Sequence, residues 1–197
     1  MRILVVHSHP VAESYSRALF DCTVETLRAG GHEVWPLDLY AGGFDPVMGR
    51  QERLDYHTPA VNQRGLEDQV ELLRWAEGFI FVYPTWWYSL PAMLKGWLER
   101  AWLPDVTFHL PPDGGRIRPL MGHVRLLGGI STYGSPWWMI RWMGDPGRRI
   151  VMRGLRALCP WRCRTFWLAH YRMDSSTPES RAAFLAKVKA KLASIPR

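Results

Sequence analysis

"FVYPTWWYSLPAMLKGWLERAW", residues 81–102, carries a β-rich apolar run through Pro84 and two adjacent tryptophans straight into a helical pattern. In the helical half, Met93, Leu94, Trp97, Leu98, Ala101 and Trp102 recur on one face, and Pro91 fits a first turn, where its missing N–H costs nothing. The strand half begins upstream as "FIFVY", residues 79–83. Turns normally favour small polar residues, so Trp86, Trp87 and Tyr88 at this junction need a reason.

The rest of the chain repeats the strand-then-helix alternation. Residues 3–7 read as a buried strand. Ser14 or Ser16 can cap a helix that carries Leu19, Phe20, Val24 and Leu27 and ends at Gly30 and Gly31. A second strand is expected over 33–37, a loop over 38–49, irregular chain over 50–65, and a helix over 66–77 stopped by Gly78. A fourth strand over 124–130, a helix in part of 147–158 and a fifth strand over 165–171 follow. Thr177, Pro178 and Glu179 open a last helix bearing Phe184, Leu185, Val188 and Leu192.

Such alternation predicts an α/β fold with a parallel sheet covered by helices on both faces. Five strands suit the doubly wound, flavodoxin-like order, as one domain over 1–197. In that architecture ligands bind beyond the carboxyl ends of the strands. The rule selects three loops, 8–16, 84–90 and 131–138.

Composition narrows the class. Cys22, Cys159 and Cys163 match no metal or redox spacing, so reduced thiols and no metal centre are expected. The first apolar run is too short for a signal peptide, and Pro84 and Pro91 interrupt the longest uncharged window, residues 78–94. A cytoplasmic location is therefore expected. Net charge is +7, but residues 1–98 hold 8 basic and 12 acidic side chains whereas residues 99–197 hold 17 and 6. The excess concentrates between Arg141 and Arg172, where eight arginines face one acid, Asp145. That patch is either a solvated face or an attractor of phosphate or an anionic membrane. Nucleic acid is disfavoured, because no known binding module is present and the aromatics cluster away from the arginines.

Each loop has two readings. "HSHPVAESYS", residues 7–16, lacks both the Gly-x-Gly-x-x-Gly fingerprint and a P-loop. It offers His9, Ser14, Ser16 and free N–H groups at a helix N-terminus, which suit a phosphate, or it is a plain surface loop with caps. Trp86, Trp87 and Tyr88 either wall a flat conjugated ligand or serve packing and dimer contact. Ser131, Thr132 and Gly134 either stabilise charge on a reduced ring or form a simple turn.

The segment "PTWWYSLPAMLKGWLERAW", with "HSHPVAESYS", "DLYAGGFDPVMG" and "GGISTYGS" in order, resembles the flavin-dependent NAD(P)H:quinone oxidoreductase family. That family includes mammalian quinone reductase, bacterial drug-activity modulators and potassium-efflux ancillary proteins. The resemblance implies that FAD or FMN contacts His9, Tyr15 and Ser16, with Ser14 beside them, through its phosphate and ribityl portion. It implies that Pro84, Thr85, Trp86, Trp87 and Tyr88 frame the ring and that Ser131, Thr132, Tyr133 and Gly134 approach its pyrimidine edge. It further implies a homodimer, NAD(P)H as hydride donor and a quinone or similar flat electrophile as acceptor; the arginines of 141–172 then either meet the 2′-phosphate of NADPH, touch a membrane surface with Trp142, Trp161 and Trp167, or form a solvated face. An alternative within the resemblance is a flavin-bearing ancillary subunit of a potassium-efflux transporter, or another peripheral membrane contact.

Two departures stand out. The mammalian Tyr and His after the third loop are replaced in "SPWWMIRWMGDPG", where Trp137 or Trp138 and Met143 occupy those places. Tyr133 stands where mammalian members have glycine, and either narrows the pocket or supplies a hydroxyl as the one candidate catalytic side chain.

Overall fold

The computed structural model describes residues 1–111 and 113–197. Five parallel strands, β1 (Arg2–His7), β2 (Glu33–Asp38), β3 (Gly78–Thr85), β6 (Leu126–Tyr133) and β7 (Arg164–His170), form one sheet in the order β2-β1-β3-β6-β7. This is the expected flavodoxin-like arrangement. The intervening β4 (Phe108–His109) and β5 (Arg118–Pro119) pair antiparallel in a separate ribbon. Two-residue strands leave no periodic trace, so the sequence pattern misses them.

Seven α-helical segments of the described residues follow in chain order: α1 (Tyr15–Ala29), α2 (Arg50–Asp55), α3 (Glu67–Trp75), α4 (Ala92–Ala101), α5 (Trp137–Trp142), α6 (Pro146–Arg149) and α7 (Pro178–Ala193). α6 runs on as a π-helical stretch, Ile150–Gly154, and a 3-10 stretch, Leu155–Leu158. The expected helix within 147–158 is thus a helical run of three kinds.

Strand periodicity sorts the core into two layers. Leu4, Val6, Phe79, Phe81, Tyr83 and Leu127 pack with α3, α4 and residues 150–158 on one face. Ile3, Val5, Ile80, Val82 and Ile130 pack with α1 and α7 on the other. Trp97 of α4 is fully buried and donates its indole N–H to Gln69 Oε1 at 2.8 Å. Full burial of a large apolar side chain stabilises by about 1.5–3 kcal/mol. β6 takes Gly128 and Gly129 because β7 fills their space from both faces: an added Cβ would meet the Phe166 ring at 2.3 Å and the Trp167 ring at 2.1 Å.

Several boundaries differ from expectation, that between α3 and β3 because sheet pairing claims more chain than hydropathy indicates. α3 ends at Trp75, since the Glu77 N–H donates to the Arg2 carbonyl at 2.8 Å and Gly78 already pairs with Ile3 and Leu126. Gly78 is therefore the first residue of β3 and not a helix stop. Pro91 lies one place outside α4, as its N-cap. Residues 50–65 contain α2 and a short 3-10 turn, Val61–Gln63.

The change that matters most concerns the third loop. β6 continues to Tyr133, with Ser131, Thr132 and Tyr133 in register with Tyr83, Pro84 and Thr85. All six residues are strand, and the loop begins at Gly134. Pro84 is tolerated because its absent N–H would face β1, which has already ended at His7.

Candidate functional site

β1 ends at His7, and the chain turns through 8–14 to enter α1. Of the two candidate caps, Ser14 takes the role: its extended backbone precedes the helix and its Oγ accepts the Arg17 N–H at 3.1 Å. The first-turn N–H groups of Tyr15 and Ser16 have no intrahelical acceptor and lie at the positive end of the helix dipole. Ser8 is fully buried beneath this turn, and its Oγ has no hydrogen-bond partner among the described residues.

Below the turn runs a buried polar chain that the sequence reading missed. Ser16 Oγ lies 3.3 Å from His7 Nε2, and His7 Nδ1 lies 3.1 Å from Asp38 Oδ2. An ionised carboxylate only accepts, so His7 donates from Nδ1 and its Nε2 accepts from the Ser16 hydroxyl. Arg17 Nη1 approaches the same Asp38 oxygen at 3.5 Å. Burial pulls the His7 pKa below the ordinary imidazole value, outweighing the opposing pull of Asp38. Tyr15 points elsewhere. Its hydroxyl donates to the Arg181 carbonyl at 2.7 Å, its ring meets His170 edge-on, and burial pushes its phenol up to about 12.

The second segment makes an unusual turn. Trp86 and Ser89 are bridged antiparallel, and the two residues between them, Trp87 and Tyr88, have φ of 48° and 60°. Two-residue turns of this kind normally hold Asn-Gly. Trp87 is 95% exposed, so packing within the chain does not explain its presence. The His9 and Trp86 rings lie 5.8 Å apart, which joins the first segment to the second. The Tyr88 hydroxyl donates to Met139 Sδ at 3.3 Å.

The third segment joins the second through Thr85 Oγ1 and Ser131 Oγ, 2.9 Å apart. Thr132 is buried beside them. Tyr133 is buried too, its ring stacked on Tyr171 at 5.0 Å and its hydroxyl donating to Asp145 Oδ1 at 3.1 Å. Burial raises both the Tyr133 phenol and the Asp145 carboxyl above their ordinary values. The Tyr133 hydroxyl is therefore committed inward. Gly134 is exposed, and the carboxylate of Asp174 sits where a Cβ would otherwise project, at 2.6 Å.

Thr85, Trp87, Tyr88, Tyr133 and Gly134 line one open hollow of about 230 Å³, together with Ser135 and Ile140, which the sequence did not single out. Larger hollows lie elsewhere, one of about 680 Å³ beside β5. Topology, not volume, marks the site: this hollow alone among them sits where β3 and β6 end. The donor set fits a flat conjugated ring with an anionic tail. Free helix N–H groups and the orphaned Ser8 Oγ serve the tail, and exposed indoles serve the ring. Among the described residues, no three His, Cys, Asp or Glu side chains converge to hold a metal ion, and no helix is long and apolar enough to cross a membrane.

The order of the sheet and a site at its strand ends define the class, and residues 1–195 match the family described as having a flavodoxin-like fold. The chain belongs to that family. Among its relatives, human ribosyldihydronicotinamide dehydrogenase [quinone] is 30% identical over 152 residues, covering 68% of this chain and 64% of that protein. The curated relatives compared are matched over 44%, 52% and 64% of their own length. The crystal structure of NAD(P)H:quinone oxidoreductase from Methanothermobacter marburgensis superposes with a TM-score of 0.85 at 20% identity, over 100% of this chain and 99% of that one. That of an FMN-dependent NADH-azoreductase from Bacillus anthracis, in complex with FMN, superposes at 0.74 with 15% identity, over 98% and 97%. At these identities the structural likeness concerns the fold.

Proposed function

We propose that the protein is a flavin-dependent NAD(P)H:quinone oxidoreductase. One observation carries the reading: the strained turn at Trp87 and Tyr88 holds exposed aromatic rings at the strand ends, linked by Trp86 to His9 of the helix-entry loop. Strain of this kind persists where function requires it. The relatives named above support the same reading.

In this assignment the N–H groups of Tyr15 and Ser16 hold the flavin phosphate, and the chain from Ser16 through His7 to Asp38 fixes that turn. His9, Trp86, Trp87 and Tyr88 wall the ring, while the loop that opens at Gly134, beyond the paired end of β6, presents N–H groups to its pyrimidine edge. Tyr15 contributes through its backbone, since its hydroxyl is bonded to α7. Tyr133 shapes the pocket rather than moving a proton, because its hydroxyl is spent on Asp145. A flavin held there would supply two-electron redox chemistry between NAD(P)H and a quinone taking the same place in turn. The protein's part is to position both partners face to face on the ring and exclude water. No side chain acts as a nucleophile.

Trp86 and Trp87 of the turn, and Trp137, Trp138 and Trp142 of α5, whose Ile140 lines the hollow, are all exposed. So dense an apolar rim suits a second copy of the chain closing over the hollow. A homodimer working in the cytoplasm is the form we propose. The test is to purify the protein, record its visible spectrum, release and identify the pigment, and mix anaerobically with NADH or NADPH. A yellow protein that bleaches and is recoloured by a benzoquinone is expected. A colourless protein that binds neither FMN nor FAD overturns the proposal.

A further inference from the structure

Four arginines border a second hollow that the proposed reaction does not use. Arg141, Arg148, Arg149 and Arg153, with Asp145 and Thr165, border about 420 Å³ beside β7, one of the two edge strands of the sheet. None of the four forms an ion pair among the described residues.

A solvated basic face explains arginines that extend into water. It does not explain Arg148, whose Nε is buried and has no acceptor among the described residues. A buried donor of this kind calls for a partner. Arg141 and Arg149 also have defined places. The Arg141 guanidinium lies 5.9 Å from the centre of the Trp137 ring. Arg149 folds back on Gly144, its Nη1 3.1 Å from where a Cβ would stand, and Gly144 has φ of +84°. Asp145 offsets the charge only in part: Arg148 and Arg141 act on its carboxylate electrostatically, but no arginine comes within 4.0 Å of it, and Tyr133 donates to it.

The position of the hollow matters as much as its charge. Tyr133 lines the candidate active site, and Asp145, the acceptor of its hydroxyl, lines the arginine hollow. One hydrogen-bonded pair of side chains separates the two. From that wall the arginine hollow reaches Thr165, near the start of β7, and so leads away from the strand ends along the sheet's margin. A dinucleotide with its nicotinamide at the strand ends has its adenosine half to place outside them.

We infer that the arginine hollow receives the 2′-phosphate of NADPH and makes NADPH the preferred hydride donor. The inference rests on the reductase reading and adds the choice of donor to it. A phosphomonoester brings close to two negative charges and three acceptor oxygens, which guanidinium groups meet in pairs. NADH offers a neutral hydroxyl at that position and leaves the Arg148 Nε unpaired.

The test is calorimetric titration of the flavin-loaded protein with adenosine 2′,5′-bisphosphate, 5′-AMP and inorganic phosphate, beside steady-state kinetics with NADPH and NADH. The bisphosphate is expected to bind at least about tenfold more tightly than either comparator. Arg148→Gln removes the buried donor, and Arg149→Gln and Arg153→Gln, both at exposed positions, guard against a folding defect. Each substitution is expected to weaken bisphosphate binding about tenfold and to lower kcat/KM for NADPH by that factor more than for NADH. Equal binding of bisphosphate and AMP overturns the inference. So does inorganic phosphate binding as tightly as the bisphosphate, or an equal loss with both donors. Failure of the reductase reading is a separate result: neither donor bleaches the flavin, although the calorimetric preference for the 2′-phosphate persists and still supports the assignment of the hollow.

Discussion

Trp86 and Ser89 exchange both backbone hydrogen bonds, at 3.2 Å and 2.9 Å, around two residues in the left-handed region. A side chain in that region costs roughly 1–2 kcal/mol relative to glycine. Trp87 recovers none of this by burial within its own chain. Trp87→Gly should therefore raise the denaturant midpoint, by about 1 kcal/mol in stability, while weakening flavin binding. Chemical denaturation and flavin titration measure the two effects. A variant that is less stable yet binds flavin as before would assign the tryptophan to structure alone.

Ser16, His7 and Asp38 form a buried chain of hydrogen bonds under the same site. His7→Phe keeps a planar ring stacked near Phe20, which His7 meets at 4.7 Å, but removes both polar contacts. Asp38 retains the N–H groups of Tyr40 and Ala41, so the loss falls mainly on Ser16 and one carboxylate oxygen. A cost of about 1–3 kcal/mol is expected in urea denaturation. Flavin affinity should fall as well, because Ser16 loses the partner that orients it. Unchanged affinity would place the chain outside the binding machinery.

Burial lowers the pKa of His7, His9, His32 and His170 below 6.5. Each therefore takes up a proton more readily in the unfolded chain than in the native state. Their contribution to stability is thus complete above pH 6.5 and is lost as pH falls through the lowered native values. The thermal midpoint should decline on passing from about pH 7 to about pH 5, before the carboxylates titrate. His7→Phe should flatten that decline in part. A midpoint constant over this range would remove histidine burial as its cause.

How much of this was open to sequence reading depends on what each segment buries. Residues 3–7 and 79–83 show as strands because both faces of the sheet are covered, which makes them continuous apolar runs. The end of β6 does not, since Ser131 and Thr132 look like loop and are buried only by pairing with Tyr83 and Pro84. α5 was invisible for the opposite reason: only Ile140 of its six residues is buried, so no apolar stripe marks it. Across 146–158 the change from α to π to 3-10 blurs the 3.6-residue period. The loops of the site were legible through topology, whereas the contact of His7 with Asp38 depends on parallel register between residues 31 apart.

Tyr133 offers the last test, because its hydroxyl and its ring do different things. The ring lines the site and stacks on Tyr171, while the hydroxyl donates to a buried carboxylate. Burial raises the pKa of Asp145, and the bond from Tyr133 acts against that rise by favouring the charged form. Tyr133→Phe keeps the ring and deletes the donor, at an expected cost of about 1–3 kcal/mol near neutral pH. In the variant the Asp145 carboxyl should protonate at a still higher pH. Once it is neutral it no longer needs the lost donor as strongly, so the stability gap between wild type and variant should narrow as pH falls from about 7 towards about 4. Parallel urea titrations across that range measure the gap. A gap that stays constant would trace the cost to packing around the ring and leave the carboxylate without a part in it.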